Sequence, residues 1–264
     1  MNKNYEYYFF KINTADFMDC DFGYIDPEDC SWYHHNWMTL RSLDMVSNPF
    51  WHKQFFTDQL QGYFSKGSKV LVLGTADFSM PLLCTYAGIK ELHICDICKT
   101  PLNICNNIAK QNQFKWNTFL SDINQGIDGE YDIIINDAFL TRFGYNEKRN
   151  ILYNISNALS LGGVYITTIR KGWNHGKAVI PTKNQKEKFV EQALKLAQEK
   201  GYDTELTRDS AATYIEHITS YPMKSKKSII QMAIGIMNIN SCVITQVTGE
   251  YKPTNYFQVV FQRQ

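Results

Sequence analysis

A chain of 264 residues, 44% apolar and 14% aromatic, can fill one sizeable core. It contains no run of ~18 apolar residues that would span a membrane. Its 27 basic and 26 acidic residues leave a formal net charge of +1, which argues against nucleic acid or an anionic membrane as partner. Seven scattered cysteines and no secretory leader pattern suit a reduced, cytoplasmic protein.

Residues 1 to 30 carry Tyr5, Tyr7, Tyr8, Phe9, Phe10, Phe17, Phe22 and Tyr24, too many aromatics for a disordered tail. This arm is expected to fold over the mouth of a binding site or over a second copy of the chain, so a homodimer stays open. Further on, Trp37, Leu40, Leu43 and Val46 keep helical spacing until Asn48-Pro49 breaks it. A second helix is expected from Pro49 through Phe55, Phe56, Leu60 and Tyr63. His34, His35, Arg41 and His52 are the polar residues of this prelude, among Trp32, Trp37 and Trp51. A guanidinium in an apolar helix needs a partner. A bound carboxylate and an internal aspartate such as Asp44 or Asp77 serve equally well.

The stretch from Lys69 to Leu73 reads as a short apolar strand, Gly74 ends it, and Phe78 to Tyr86 reads as a helix. Strand, glycine turn and helix open a doubly wound α/β sheet, leaving bare backbone and a helix N-terminus at the strand's carboxyl end. Gly74-Thr75-Ala76-Asp77 is not G-x-G-x-x-G, so a pyrophosphate cradle is poorly supported. About 20 residues on, a second strand (Glu91 to Ile97) carries Asp96 at its tip, where a carboxylate can accept from both hydroxyls of a ribose. Thr100 is expected to cap the next helix, with Pro101 in its first turn and Leu102, Cys105, Ile108 and Ala109 on one stripe. Cys95-x-x-Cys98 has no second ligand pair at zinc spacing, so no metal is expected.

A third strand, Lys115 to Leu120, leads to Asp122 and Ile123; a fourth, from Tyr131, ends in Asn136-Asp137-Ala138-Phe139. Ile151, Ile155 and Leu159 predict a helix over Glu147 to Leu161, stopped by Gly162-Gly163, and a fifth strand ends at Arg170. The glycine-bearing Lys171 to Pro181 segment puts Trp173 and His175 at the pocket edge. Helices over Thr182 to Lys200 (stopped by Gly201) and Leu206 to Ser220 form an insert ending at Tyr221-Pro222. A helix from Ser225 to Ile236 and strands over Cys242 to Val247 and Tyr256 to Gln262 complete the chain, with Gly249 and Pro253 between the strands.

The wording GTADFSM, DICKTPLNICNNIAKQ and NDAFLTRF, within residues 65 to 172, resembles the class I S-adenosylmethionine-dependent methyltransferases. It is similar to a bacterial subgroup whose first motif reads G-x-A-D-(Y/F)-x-M and whose second reads D-x-C-x-T-P-L. The resemblance implies an α/β fold: a doubly wound, seven-stranded, mostly parallel sheet ending in an antiparallel pair. Residues 1–64 would form a helical extension on a cofactor-binding domain, 65–264, with an insert at about 174–224.

The resemblance also implies S-adenosyl-L-methionine as cofactor. Gly74, Thr75, Ala76, Asp77 and Met80 would bind it at the turn after the first strand, with Arg41 as a candidate partner for its methionyl carboxylate. Asp96 and Ile97 would take the ribose, Asp122 and Ile123 the adenine, and Asn136 the edge facing the acceptor. A small-molecule acceptor is expected against His34, Trp37, Phe139, Trp173 and Tyr221. If a proton must leave, His35 and His175 are candidate bases, since histidine titrates near neutrality, with Asp137 behind them. NDAF lacks the Pro-Pro that follows this strand in methyltransferases of nucleic-acid amines, so that amine clamp does not carry over. Two alternatives remain: an aminopropyl transferase on the same sheet, and a cofactor-binding scaffold without turnover.

Overall fold

Four consecutive buried residues, Val70–Leu73, form β1, an interior strand of a seven-stranded sheet. The computed structural model describes residues 14–20, 30–248 and 252–264. The other strands are β2 (Glu91–Asp96), β3 (Lys115–Leu120), β4 (Tyr131–Asn136), β5 (Leu159–Arg170), β6 (Asn238–Thr248) and β7 (Pro253–Gln262). Their spatial order is β3-β2-β1-β4-β5-β7-β6, with β7 antiparallel to both its neighbours and the rest parallel. The chain winds outward from β1 to β3, then returns to the other side of β1 as β4. The loops after β1 and β4 therefore part company and leave a crevice at the carboxyl ends of these strands.

A strand covered on both faces must be apolar at every position, which is why β1 reads as a run rather than an alternation. Val70 and Val72 face a layer containing α2 (Lys53–Tyr63), α3 (Ser79–Tyr86) and α4 (Lys99–Asn112), through Phe56, Leu60, Leu82 and Ile108. Leu71 and Leu73 face α5 (Tyr145–Ala158) and α8 (Lys226–Ala233), through Ile151, Ile155, Ile229 and Met232. A third cluster joins α1 (Ser31–Ser42) to the insert helices α6 (Lys183–Lys200) and α7 (Thr204–His217). Trp37, Leu40 and Leu43 meet Phe189, Ala193, Leu196 and Tyr214 there, while Met38 turns toward the sheet core. The prelude and the insert thus share one core instead of capping the sheet separately.

Several boundaries differ from the sequence reading. The α1 helix ends at Ser42, and Pro49–His52 is a 3-10 turn ahead of α2. The α5 helix ends at Ala158 and Leu159 already pairs with Tyr131, because the β4–β5 ladder outcompetes one more helical turn. Thr100 does not cap α4; Cys98 holds that position, and Thr100 lies buried in the first turn. On α6, Phe189, Ala193, Leu196 and Ala197 are the buried residues. Phe17 packs half-buried against the sheet core. The remaining arm aromatics (Tyr5, Tyr7, Tyr8, Phe9, Phe10, Phe22 and Tyr24) and Gly249 lie outside the described residues. Among the described residues, no helix is long and apolar enough to cross a membrane.

Candidate functional site

Gly74 leaves β1 with φ +65°, a conformation that glycine adopts without strain, and its N–H donates to the Cys95 carbonyl at 2.9 Å. A Cβ built there would lie 2.3 Å from the Phe139 ring. The glycine therefore admits the Phe139 ring across the β1–β4 crevice, and both residues line the cavity there. The turn that follows is held by Asp77, whose Oδ1 accepts from the Ser79 N–H at 2.7 Å and from Arg41 Nη1 at 2.9 Å. Its Oδ2 accepts from Trp37 Nε1 at 3.1 Å. Asp77 is fully enclosed by these partners and does not line the cavity, so its expected cofactor contact is corrected to a structural one. Arg41 thus has an internal aspartate as partner through Nη1.

A cavity of about 1210 Å³ opens over the carboxyl ends of β1, β2, β4 and β5. Gly74, Thr75, Ala76 and Met80 line it beneath, and Arg41 and Trp37 line it from α1. At the β2 end stand Asp96 and the half-exposed Ile97, with Asp122 and buried Ile123 beyond them. Burial pushes the Asp96 carboxyl up to about 7, against the Cys98 N–H that donates to its Oδ1 at 2.8 Å. Asp122 also caps the turn after β3, accepting from the Asn124 N–H at 2.9 Å.

Asn136 and Asp137 line the cavity from the end of β4. Asn136 Oδ1 accepts from Tyr165 at 3.0 Å and Thr167 at 2.6 Å, which leaves its Nδ2 buried without a partner. Asp137 Oδ1 accepts from Thr168 Oγ1 at 2.5 Å, and its Oδ2 is likewise buried and unpartnered. Arg41 Nε is a third such atom. Native interiors rarely leave buried polar atoms without partners. All three belong to residues that line the cavity, Arg41 from α1 and Asn136 and Asp137 from the end of β4.

Three sequence candidates fall elsewhere. His35 points to solvent on α1 and does not line the cavity. His175, exposed at φ +45°, rests its ring on Tyr145 at 5.3 Å. Tyr221 gives its carbonyl to Lys148 Nζ at 2.6 Å and its N–H to the Thr141 carbonyl at 2.8 Å, outside the cavity. Trp173, 84% exposed, stands at the mouth. His34 does line the cavity, beside Cys30 and Cys98 at the β2 end.

The sequence reading missed several aromatic and basic residues of the cavity lining, among them Tyr33, Arg142, Tyr214 and Tyr256. Tyr33 stacks on Trp37 at 4.7 Å, Arg142 lies 5.2 Å from the Tyr33 ring centre, and Tyr214 tilts against Trp37 at 6.0 Å. Burial pushes the phenols of Tyr33, Tyr214 and Tyr256 up, so they remain neutral hydroxyls. His52, behind Tyr256 at 4.9 Å, is held below its usual range by burial, opposed by the charge of Asp137. These residues come from α1, α7, β7 and the turns before α2 and after β4, and no local pattern links them.

No family model matches the chain, and no curated protein sequence does. Solved structures do. A SAM-dependent methyltransferase from Methanosarcina mazei superposes with a TM-score of 0.54 at 14% identity, over 78% of this chain and 96% of that one. The magnesium protoporphyrin IX methyltransferase ChlM from Synechocystis PCC 6803, with bound SAH, gives 0.52 at 13% identity over 85% and 87%. PigF with SAH gives 0.54 at 18% identity over 90% and 63%. The fold is that of the class I methyltransferases. Its switch-point crevice is the cavity described above.

Proposed function

We propose that this protein is an S-adenosylmethionine-dependent methyltransferase acting on a small organic molecule. The observation that carries the reading is the β1–β4 cavity, with Asp96 at one end and three unpartnered buried polar atoms on its wall. Its about 1210 Å³ exceed the ~300–1,000 Å³ of a pocket for one drug-sized ligand, which suits a cofactor plus an acceptor. SAH in the ChlM and PigF structures supports the same cofactor here.

These residues fit that cofactor. Asp96 would accept from the ribose hydroxyls, and Asp122 and Ile123 would hold the adenine. Arg41 Nε and Asn136 Nδ2 are donors suited to acceptor oxygens of the cofactor such as the methionyl carboxylate. When bound, the group supplies a sulfonium methyl and its own leaving group. The protein then needs to align an acceptor nucleophile, exclude water and take up a proton where there is one.

Tyr33, Trp37 and Tyr214 offer a flat aromatic wall to the acceptor, and the Arg142 and Arg170 guanidiniums lie on the same cavity. Asp137 is the candidate base that lines the cavity, with Oδ2 available and Oδ1 fixed by Thr168. An acceptor already carrying a lone pair would need no base, and Asp137 would then only orient it.

Calorimetry with SAH, followed by labelled-methyl transfer into an extract of the producing cells, tests this reading. Saturable SAH binding with label appearing in a small-molecule fraction is the expected result. Binding without transfer to any fraction would favour the scaffold alternative, and no binding would overturn the cofactor assignment.

A further inference from the structure

The cysteine that opens α4 has companions from two distant parts of the chain. Cys98 Sγ lies 3.7 Å from Cys20 Sγ. With Cys30 Sγ and a His34 ring nitrogen they form a group of four whose ligand atoms all lie within 4.8 Å of one another. Zinc–thiolate bonds of about 2.3 Å, arranged tetrahedrally, require donor–donor edges of about 3.8 Å. The 3.7 Å spacing matches such an edge and is far from the ~2.05 Å of a disulfide. All three cysteines are free thiols.

The elements position these groups well. Cys30 precedes the first residue of α1, and His34 lies four residues on, one turn along the same face. Cys98 holds the N-cap of α4 with an extended backbone. Cys20 is held there by Thr100, whose Oγ1 accepts the Asp19 N–H at 2.9 Å and lies 3.2 Å from Cys20 Sγ. With its lone pair engaged by Asp19, that hydroxyl has its proton free for the sulfur, the kind of outer partner that orients a metal ligand. His34 and Cys98 are buried, while Cys20 and Cys30 are half-buried, which leaves a route for an ion. Thiols are weak hydrogen-bond partners for one another, so three of them converging on an imidazole gain little without a cation.

We propose that Cys20, Cys30, His34 and Cys98 form a structural Zn²⁺ site. Three soft thiolates and one imidazole in a tetrahedral set select zinc over magnesium or calcium. Four protein ligands leave no open coordination position, so the ion acts as a clasp and takes no part in the chemistry. Loading releases up to three thiol protons and ties Cys20 to the starts of α1 and α4, beside Asp96. The Cys95-x-x-Cys98 pair is not the site: Cys95 is buried in β2, in the core facing α5. The ligands are drawn from three separate segments, which is why spacing alone missed them.

Metal content tests this independently of cofactor binding or turnover. The full chain is purified under reducing conditions without a metal-affinity step and analysed by plasma mass spectrometry. One zinc per chain is expected, lost in Cys20→Ser and in Cys30→Ser. Because a variant can fail to fold, the wild type is also stripped with a chelator and titrated with Co²⁺. Intense visible d–d bands with thiolate charge transfer, displaced by Zn²⁺, are expected, together with a lower melting temperature for the stripped protein. Absence of zinc with no tetrahedral Co²⁺ spectrum would overturn the proposal, as would a Cys20–Cys30 or Cys20–Cys98 disulfide found in the reduced preparation by mass mapping.

Discussion

At the residue scale the decisive group is Asp77, a carboxylate with no exposed surface that collects Arg41, Trp37 and the Ser79 N–H. Removing one partner of a buried ion pair leaves the other charge uncompensated. Arg41→Met is therefore expected to cost about 3–5 kcal/mol in urea unfolding. The double variant Arg41→Met/Asp77→Leu should recover much of that loss; equal losses in both would mean that the pair is not the cause. Gly74 is the second such residue. Gly74→Ala meets a left-handed backbone cost of about 1–2 kcal/mol and a collision with Phe139. Adding Phe139→Ala should remove the collision but not the backbone cost, leaving Gly74→Ala/Phe139→Ala more stable than the sum of the two single changes. For ligand binding, Asp96→Asn should weaken SAH affinity by about tenfold or more, since a charge-assisted hydrogen bond contributes about 1.5–3 kcal/mol. Unchanged affinity in a folded Asp96→Asn protein would remove Asp96 from the site.

At the scale of elements, Lys148 on α5 is fully buried and holds two loops together. Its Nζ donates to the Phe143 carbonyl and to the Tyr221 carbonyl, joining the segment after β4 to the one that enters α8. Lys148→Met would leave two carbonyls without donors, at about 1–3 kcal/mol each. A lowered melting temperature checks it. Burial also lowers the Lys148 ammonium from 10.5 to about 8. In this window the unfolded chain binds more protons than the folded one, so the wild-type contribution to stability rises with pH from about 8 toward 10.5. The gap between wild type and Lys148→Met should widen over that range. A gap that narrows would mean that the lysine is not held dry.

At the scale of the whole molecule, prelude and insert complete each other's core. Deleting 182–218 would expose Trp37, Leu40 and Leu43 of α1, and the truncated chain is expected to aggregate although β1 to β7 are intact. Light scattering of the purified truncation checks this. SAH should act in the opposite sense, because only the folded chain has the cavity. At a hundred times its Kd the stabilisation is about 2.7 kcal/mol, a rise of several degrees in melting temperature. A scanning-fluorimetry series with no shift would contradict the assigned cofactor.

The sequence by itself determined the sheet and its ligand edge. Val70 to Leu73, Glu91 to Asp96 and Tyr131 to Asn136 are local apolar runs, each ended by a glycine or polar residue, and strand identity depends on such runs alone. Gly74, Asp96 and Asn136-Asp137 could be read for the same reason: each closes a strand whose end the topology places at the crevice. What lay between elements had no local signature. The choice of Asp77 for Arg41, the turning of His35 and His175 toward solvent, and the wall of Tyr33, Tyr214 and Tyr256 depend on how elements distant in the chain pack together. The Cys20, Cys30, His34 and Cys98 group likewise exists only because three segments meet at the start of α4. Spacing along the chain encodes which face a residue takes within its own helix or strand. It does not encode which distant element comes to cover that face, and only tertiary packing decided that.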